Sequence, residues 1–252
     1  MLDTALLCLF AFCAGLIDSV VGGGGLIQIP ALLNSFPTAQ AATLFGTNKL
    51  VSVCGTSIAA RAYIGRVAIP WRLVLPAAIS AFIMAFLGAA AVSFVPQGWL
   101  RPLVLLLIVA MAVYTFKKKD FGAIQSVVQI GRRERVLSVL IGGGIGFYDG
   151  IFGPGTGSFL IFLFIRYFAF DFLQASASAK FVNIATNIAA LMYFVPTGNV
   201  LYGIVIPMAI FNMMGGYTGS WVAMKHGARF VRVLFLYLLV VLVFKLGYDM
   251  VK

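Results

Sequence analysis

Apolar runs long enough to cross a hydrocarbon core of roughly 30 Å recur along the whole chain, separated by short polar joints. They lack the strict alternation of an outer-membrane barrel, so the expected elements are α-helices. Residues 2–20 make the first helix. Gly22 to Gly25 interrupt it, because each glycine costs about 1 kcal/mol of helix propensity. The next segment, Leu26 to Phe36, is too short to span alone, and Pro37 ends it. Spans are expected near 41–62 and 69–95, then a joint from Pro96 to Arg101, a span near 102–116 and a basic joint at 117–135. The same order then returns: a helix near 136–151, a break at Gly153, Pro154, Gly155 and Gly157, a short segment to about 170, and spans near 174–195, 201–224 and 231–249.

The return keeps a fixed offset. Asp149, Gly153, Gly155, Lys180, Pro207 and Gly219 each follow Asp18, Gly22, Gly24, Lys49, Pro76 and Gly88 by 131 positions. The chain therefore reads as two copies of one unit, 1–116 and 136–252, joined by a basic connector at 117–135 that is expected to be cytoplasmic. The joint at 61–72 carries Arg61, Arg66 and Arg72, whereas its counterpart at 196–203 carries no charge, so equivalent joints are expected on opposite faces. The fold class expected is an all-α integral membrane protein of two inverted repeats with broken or re-entrant helices. Each unit has three spans and a broken pair, roughly 8–10 membrane segments in all, with the amino terminus outside.

Composition agrees with this: 252 residues are 62% hydrophobic and 10% charged, with a mean hydropathy of +1.05. A net charge of +11 would raise nucleic acid as a partner in a soluble protein, but 12 of the 18 Lys and Arg residues lie in three joints, as the positive-inside bias demands. No nucleic-acid partner is expected. Cys8, Cys13 and Cys54 lie in apolar sequence and make no disulfide framework; Cys54, five residues after Lys49, is the one with a conceivable redox role. The start M-L-D-T lacks the basic residues of a signal peptide, so the first apolar run is read as a retained span. There is no Walker A loop, no metal-ligand cluster and a single histidine, His226, so no enzyme, metal or cofactor is expected.

Candidate chemistry concentrates at the two breaks. A broken helix exposes backbone N–H groups and the positive end of a dipole, a ready anion site, and in inverted-repeat carriers such breaks meet near the bilayer midplane. Gly23, Gly24, Gly25 and Gln28 in the first unit, and Gly155, Thr156 and Gly157 in the second, are the candidates for it. Lys49 and Lys180 cost roughly 3 kcal/mol each on insertion scales, so each faces a cavity or a partner unless it snorkels. Asn48 precedes the first lysine. Asn183 and Asn187 share a helix face with Lys180 through spacings of three and seven. Two lysines and two helix ends would suit a small oxyanion. Asp18 and Asp149 stand immediately before the breaks, either as proton carriers or as structural partners of backbone N–H groups or lysines.

At this point the chain resembles the sulfite exporter TauE/SafE family of bacterial permeases. G-L-I-D-S-V-V-G-G-G-G-L-I followed by T-N-K-L in the first unit carries the resemblance, with G-F-Y-D-G-I-F-G-P-G-T-G and A-K-F-V-N-I-A-T-N in the second. The resemblance implies a secondary carrier, usually an exporter, for sulfite or an organosulfonate such as sulfoacetate. It implies a multi-pass location in the bacterial cytoplasmic (inner) membrane, with the lipid bilayer and a small sulfur anion as partners. Protons and a second copy of the chain remain open as further partners. It carries over site positions at Asp18, Gly22 to Gly25, Asn48, Lys49, Asp149, Gly153, Gly155, Gly157, Lys180, Asn183 and Asn187. Ala179 stands opposite Asn48, so such a site is not strictly two-fold. An anion channel and a non-transporting membrane scaffold subunit are the alternatives.

Overall fold

The computed structural model describes residues 4–92 and 130–251, with Val109, Val113 and Gly122 between them. The expected joint at 96–101, the span near 102–116 and most of the basic joint fall outside the described residues. Eight helices run through the rest: α1 (Thr4–Val21), α2 (Gly25–Ser35), α3 (Ala41–Tyr63), α4 (Trp71–Ala91), α5 (Arg132–Ile151), α6 (Thr156–Phe168), α7 (Phe172–Phe194) and α8 (Tyr202–Val251). The protein is all-helical, with no strand among the described residues.

The breaks fall where glycine interrupts the apolar pattern. Gly22 takes φ +77°, and Gly153 and Gly155 take +90° and +83°, backbone that residues with a β-carbon rarely adopt. One boundary differs from expectation. α5 begins at Arg132 rather than near 136, because the Glu134 carboxylate accepts from the Gly131 N–H and caps a first turn that carries Arg132, Arg133 and Arg135. The last two expected helices are both present within α8, separated at Gly227, whose φ of 75° is non-helical.

Packing is close wherever small residues repeat every four positions. On α5, Gly142, Gly146 and Gly150 lie against the backbone of Ala77, Ala81 and Ala85 on α4. On α8, Gly215 and Gly219 lie against Phe12 and Leu16 of α1, while Gly15 of α1 lies against Asn212 of α8. A β-carbon at any of these glycines would overlap a main-chain atom. The contacts correspond at the 131-residue offset: Gly88 meets Phe147 and Gly150, and Gly219 meets Leu16 and Ser19.

The outer faces are apolar. Leu75, Ile79, Ile83 and Phe86 form an exposed stripe on α4, and Ile206, Ile210, Met214, Tyr217 and Trp221 form one on α8. Such continuous exposed stripes are stable against lipid, not against water. Helices α1 and α4 are each long and apolar enough to cross a bilayer, with mean hydropathy 2.2. The remaining helices are interrupted by glycine or carry the polar residues gathered inside.

Candidate functional site

The carboxy-terminal turn of α1 illustrates how the interior is held. A helix end leaves its last carbonyls without intrahelical donors. Here other elements supply them: the Tyr63 hydroxyl donates to Ser19 O at 2.9 Å, Ser176 to Val20 O at 2.7 Å, and Ser158 to Val21 O at 2.8 Å. The Ser158 N–H donates to Gly22 O at 3.0 Å, which joins the first break to the amino end of α6. Gly22 and Gly157 pass so closely that a β-carbon on either would lie on the other's backbone. The two breaks are thus in direct contact.

This contact brings the acids of each unit beside the lysines of the other. Lys49 Nζ is 3.0 Å from Asp149 Oδ2, and Lys180 Nζ is 3.1 Å from Asp18 Oδ2. Lys180 Nζ also donates to the Asp18 carbonyl oxygen. Thr156 donates to Asp149 Oδ1 at 2.7 Å, and Thr56 to Asp18 Oδ2 at 3.2 Å. Two positive and two negative charges therefore sit together with no net charge, which is how a membrane interior tolerates them.

Between them lies a cavity of about 20 Å³, room for roughly one water molecule. Of the residues singled out in the sequence, Asp18, Gly22, Gly25, Asn48, Lys49, Asp149, Gly153, Gly155, Thr156, Gly157, Asn183 and Asn187 line it. Ser52 completes the wall. Asn187 donates to Asn183 Oδ1 at 3.2 Å, and the buried side-chain amide oxygen of Asn48, Oδ1, has no hydrogen-bond partner. That orphaned acceptor lies on a residue of the polar wall, where buried acceptors are ordinarily satisfied.

Four of the expected residues stand elsewhere. Lys180 is fully buried behind Asp18 and does not line the cavity. Gly23 packs under Leu238, and Gly24 over Asp18 and the Ala14 carbonyl. Gln28 accepts from Asn212 Nδ2 at 3.2 Å, on the side where α8 crosses α1. Cys54 lies off the cavity, its thiol directed at Leu50 O. Among the described residues no three His, Cys, Asp or Glu side chains group to hold a metal.

Sequence reasoning missed Tyr63, Ser158 and Asn212. Tyr63 follows Arg61 at a helix end and reads as an interfacial aromatic, and Asn212 is a lone amide in an apolar run. Neither has a counterpart that would flag it, because Phe194 and Ala81 occupy the positions 131 residues away. Aromatic side chains pack in pairs near the second break: Phe45 and Phe152 meet edge to face at 5.6 Å, and Tyr148 and Phe159 at 5.4 Å.

Comparison with known proteins gives concordant results. A family model described as sulfite exporter TauE/SafE matches residues 7–246. A probable membrane transporter protein of a Sinorhizobium species is 35% identical over 246 residues, covering 97% of this chain and 92% of the relative. The probable membrane transporter protein YfcA of Escherichia coli (strain K12) is 31% identical, covering 95% of this chain and 87% of the relative. A probable membrane transporter protein of Haemophilus influenzae is 29% identical, covering 97% and 94%. No solved structure matches the chain.

Proposed function

The chain belongs to the sulfite exporter TauE/SafE family, a family of membrane transporters, and from that premise we propose that it is a secondary carrier exporting a small sulfur oxyanion by alternating access. The anion would sit in the polar cavity between the two breaks, held by Lys49 and the amides of Asn48, Asn183 and Asn187, with Lys180 behind Asp18. The observation that carries this reading is the pair of crossed ion pairs, each lysine matched to the acid of the other unit. Charges placed there at such cost are kept for a function, and lysine is the group that a displaced carboxylate leaves ready for another anion.

A cavity of about 20 Å³ is smaller than any oxyanion. It supports a closed, self-neutralised conformer that opens to load, which favours a carrier over a standing pore. The polar wall, which has no aromatic side chain in its lining, favours an inorganic anion such as sulfite. The two-unit, inverted arrangement belongs to the same proposal; the matching contacts of Gly88 and Gly219 support it.

The test is thermal stabilisation of the purified protein by sulfite, sulfate, thiosulfate, sulfoacetate, acetate and chloride. Wild type is expected to be stabilised by one sulfur anion selectively. The double variant Lys49→Ala/Asp149→Ala removes a whole pair, leaves no orphaned charge and is expected to lose that stabilisation. Equal stabilisation by all anions, or full retention in the double variant, refutes the site.

A further inference from the structure

We propose that Asp18 takes up one proton with each anion bound, while Asp149 stays ionised beside a Lys49 that it shares with the anion. The inference rests on the anion-carrier reading above. The two pairs occupy equivalent positions, but their surroundings differ. Asp149 and Lys49 side chains are each 3% exposed, whereas Asp18 keeps 18% exposure beside a Lys180 that has none. A carboxylate reached by water exchanges protons without any opening of the fold, and a sealed one does not.

Position gives the second argument. Asp18 lines the cavity and Lys180 stands behind it, so an anion reaches the Lys180 ammonium when the Asp18 carboxylate gives it up. Lys180 stays in place on that exchange, because its Nζ also donates to the Asp18 carbonyl. A carboxylate left charged and unpaired inside the membrane is strongly disfavoured, and a proton removes the charge. The balance is simple: one proton from water binds Asp18 Oδ2, Lys180 keeps its charge, and the anion replaces the carboxylate as counter-ion. For a singly charged anion the net charge of the site is unchanged.

The neighbours fit both forms of the acid. Thr56 Oγ1 donates to the carboxylate and can accept from the protonated acid. Facing Asp18 are Lys180 from α7 and Thr56 from α3; Tyr63, also on α3, has its hydroxyl on the Ser19 carbonyl. The breaks and α8 bring only Gly24, Gly157, Ser158 and Gly219 near this turn, and Lys49 and Asp149 share the cavity.

Calorimetric anion binding to the purified full-length protein, in two buffers of different ionisation enthalpy, counts the protons taken up. The probes are sulfate, thiosulfate and methanesulfonate, whose own charge is constant across neutral pH. Wild type is expected to take up about one proton per anion, with affinity rising about tenfold for each unit fall in pH. Asp18→Asn is expected to bind with no proton uptake and a flat profile, and Asp149→Asn to keep the uptake. Should Asp18→Asn fail to fold, Thr56→Val moves the pH profile and Thr156→Val leaves it in place. Anion binding without proton uptake in wild type, uptake that survives Asp18→Asn, or a profile moved by Thr156→Val alone overturns the assignment and leaves the carrier reading standing. Binding of none of these probes, and of no sulfite, by wild type overturns both.

Discussion

At the scale of single residues, a buried charge is tolerable only with its partner. Removing one member of a buried pair costs about 3–5 kcal/mol, because the other is left uncompensated, while removing both is close to neutral. Lys49→Ala is therefore expected to lower the unfolding temperature in detergent far more than Lys49→Ala/Asp149→Ala, a comparison that one melting series decides. Tyr63 is a neutral counterpart of the same rule. Fully buried, it donates to the Ser19 carbonyl, so Tyr63→Phe is expected to cost about 1–3 kcal/mol in denaturant-induced unfolding. An unchanged midpoint would mean that the α1 end finds another donor.

At the scale of elements, glycine does two separable things. Gly198 has φ +72° with nothing within 4 Å of where a β-carbon would stand, and Gly22 has φ +77° with the Gly157 backbone against that position. Gly198→Ala is expected to cost about 1 kcal/mol of backbone strain. Gly22→Ala adds a clash that parts the two breaks, and is expected to abolish the folded state or anion binding. Equal melting temperatures for the two variants would show that the breaks do not depend on close approach. Along α4/α5 and α1/α8 the backbones touch through glycine and alanine. Gly88→Leu and Gly219→Leu, equivalent by offset, are expected to destabilise to a similar extent, read as the fraction of monodisperse protein after heating.

For the whole molecule, the two breaks correspond by offset in the sequence and differ in what surrounds them. The α1 end is tied by Tyr63, Ser176 and Ser158; the positions 131 residues away from these hold Phe194, Phe45 and Ile27. One break is therefore bound by hydrogen bonds and the other is flanked by an apolar cluster of Ile29, Phe45, Ala89, Ala190 and Phe194. The inverted arrangement predicts that equivalent joints face opposite sides. In a cysteine-free background, Arg66→Cys is expected to react with a membrane-impermeant thiol reagent only from the cytoplasmic face, and Thr197→Cys only from outside. Labelling of both from one face would refute inversion.

The chain by itself determined the helices, because apolar run lengths and glycine breaks are local properties. It also marked Lys49, Lys180, Asp18 and Asp149 as exceptional, because a charge in an apolar run is costly wherever it folds. Which acid meets which lysine could not be read locally: the partners are 100 and 162 residues apart, joined only when Gly22 and Gly157 touch. Only the tertiary structure decided that the site is neutral, that Lys180 lies behind Asp18, and that Gln28 belongs with Asn212. The physical reason is the same for each: pairing and exposure depend on what the rest of the chain brings alongside, and periodicity within one helix carries no trace of that.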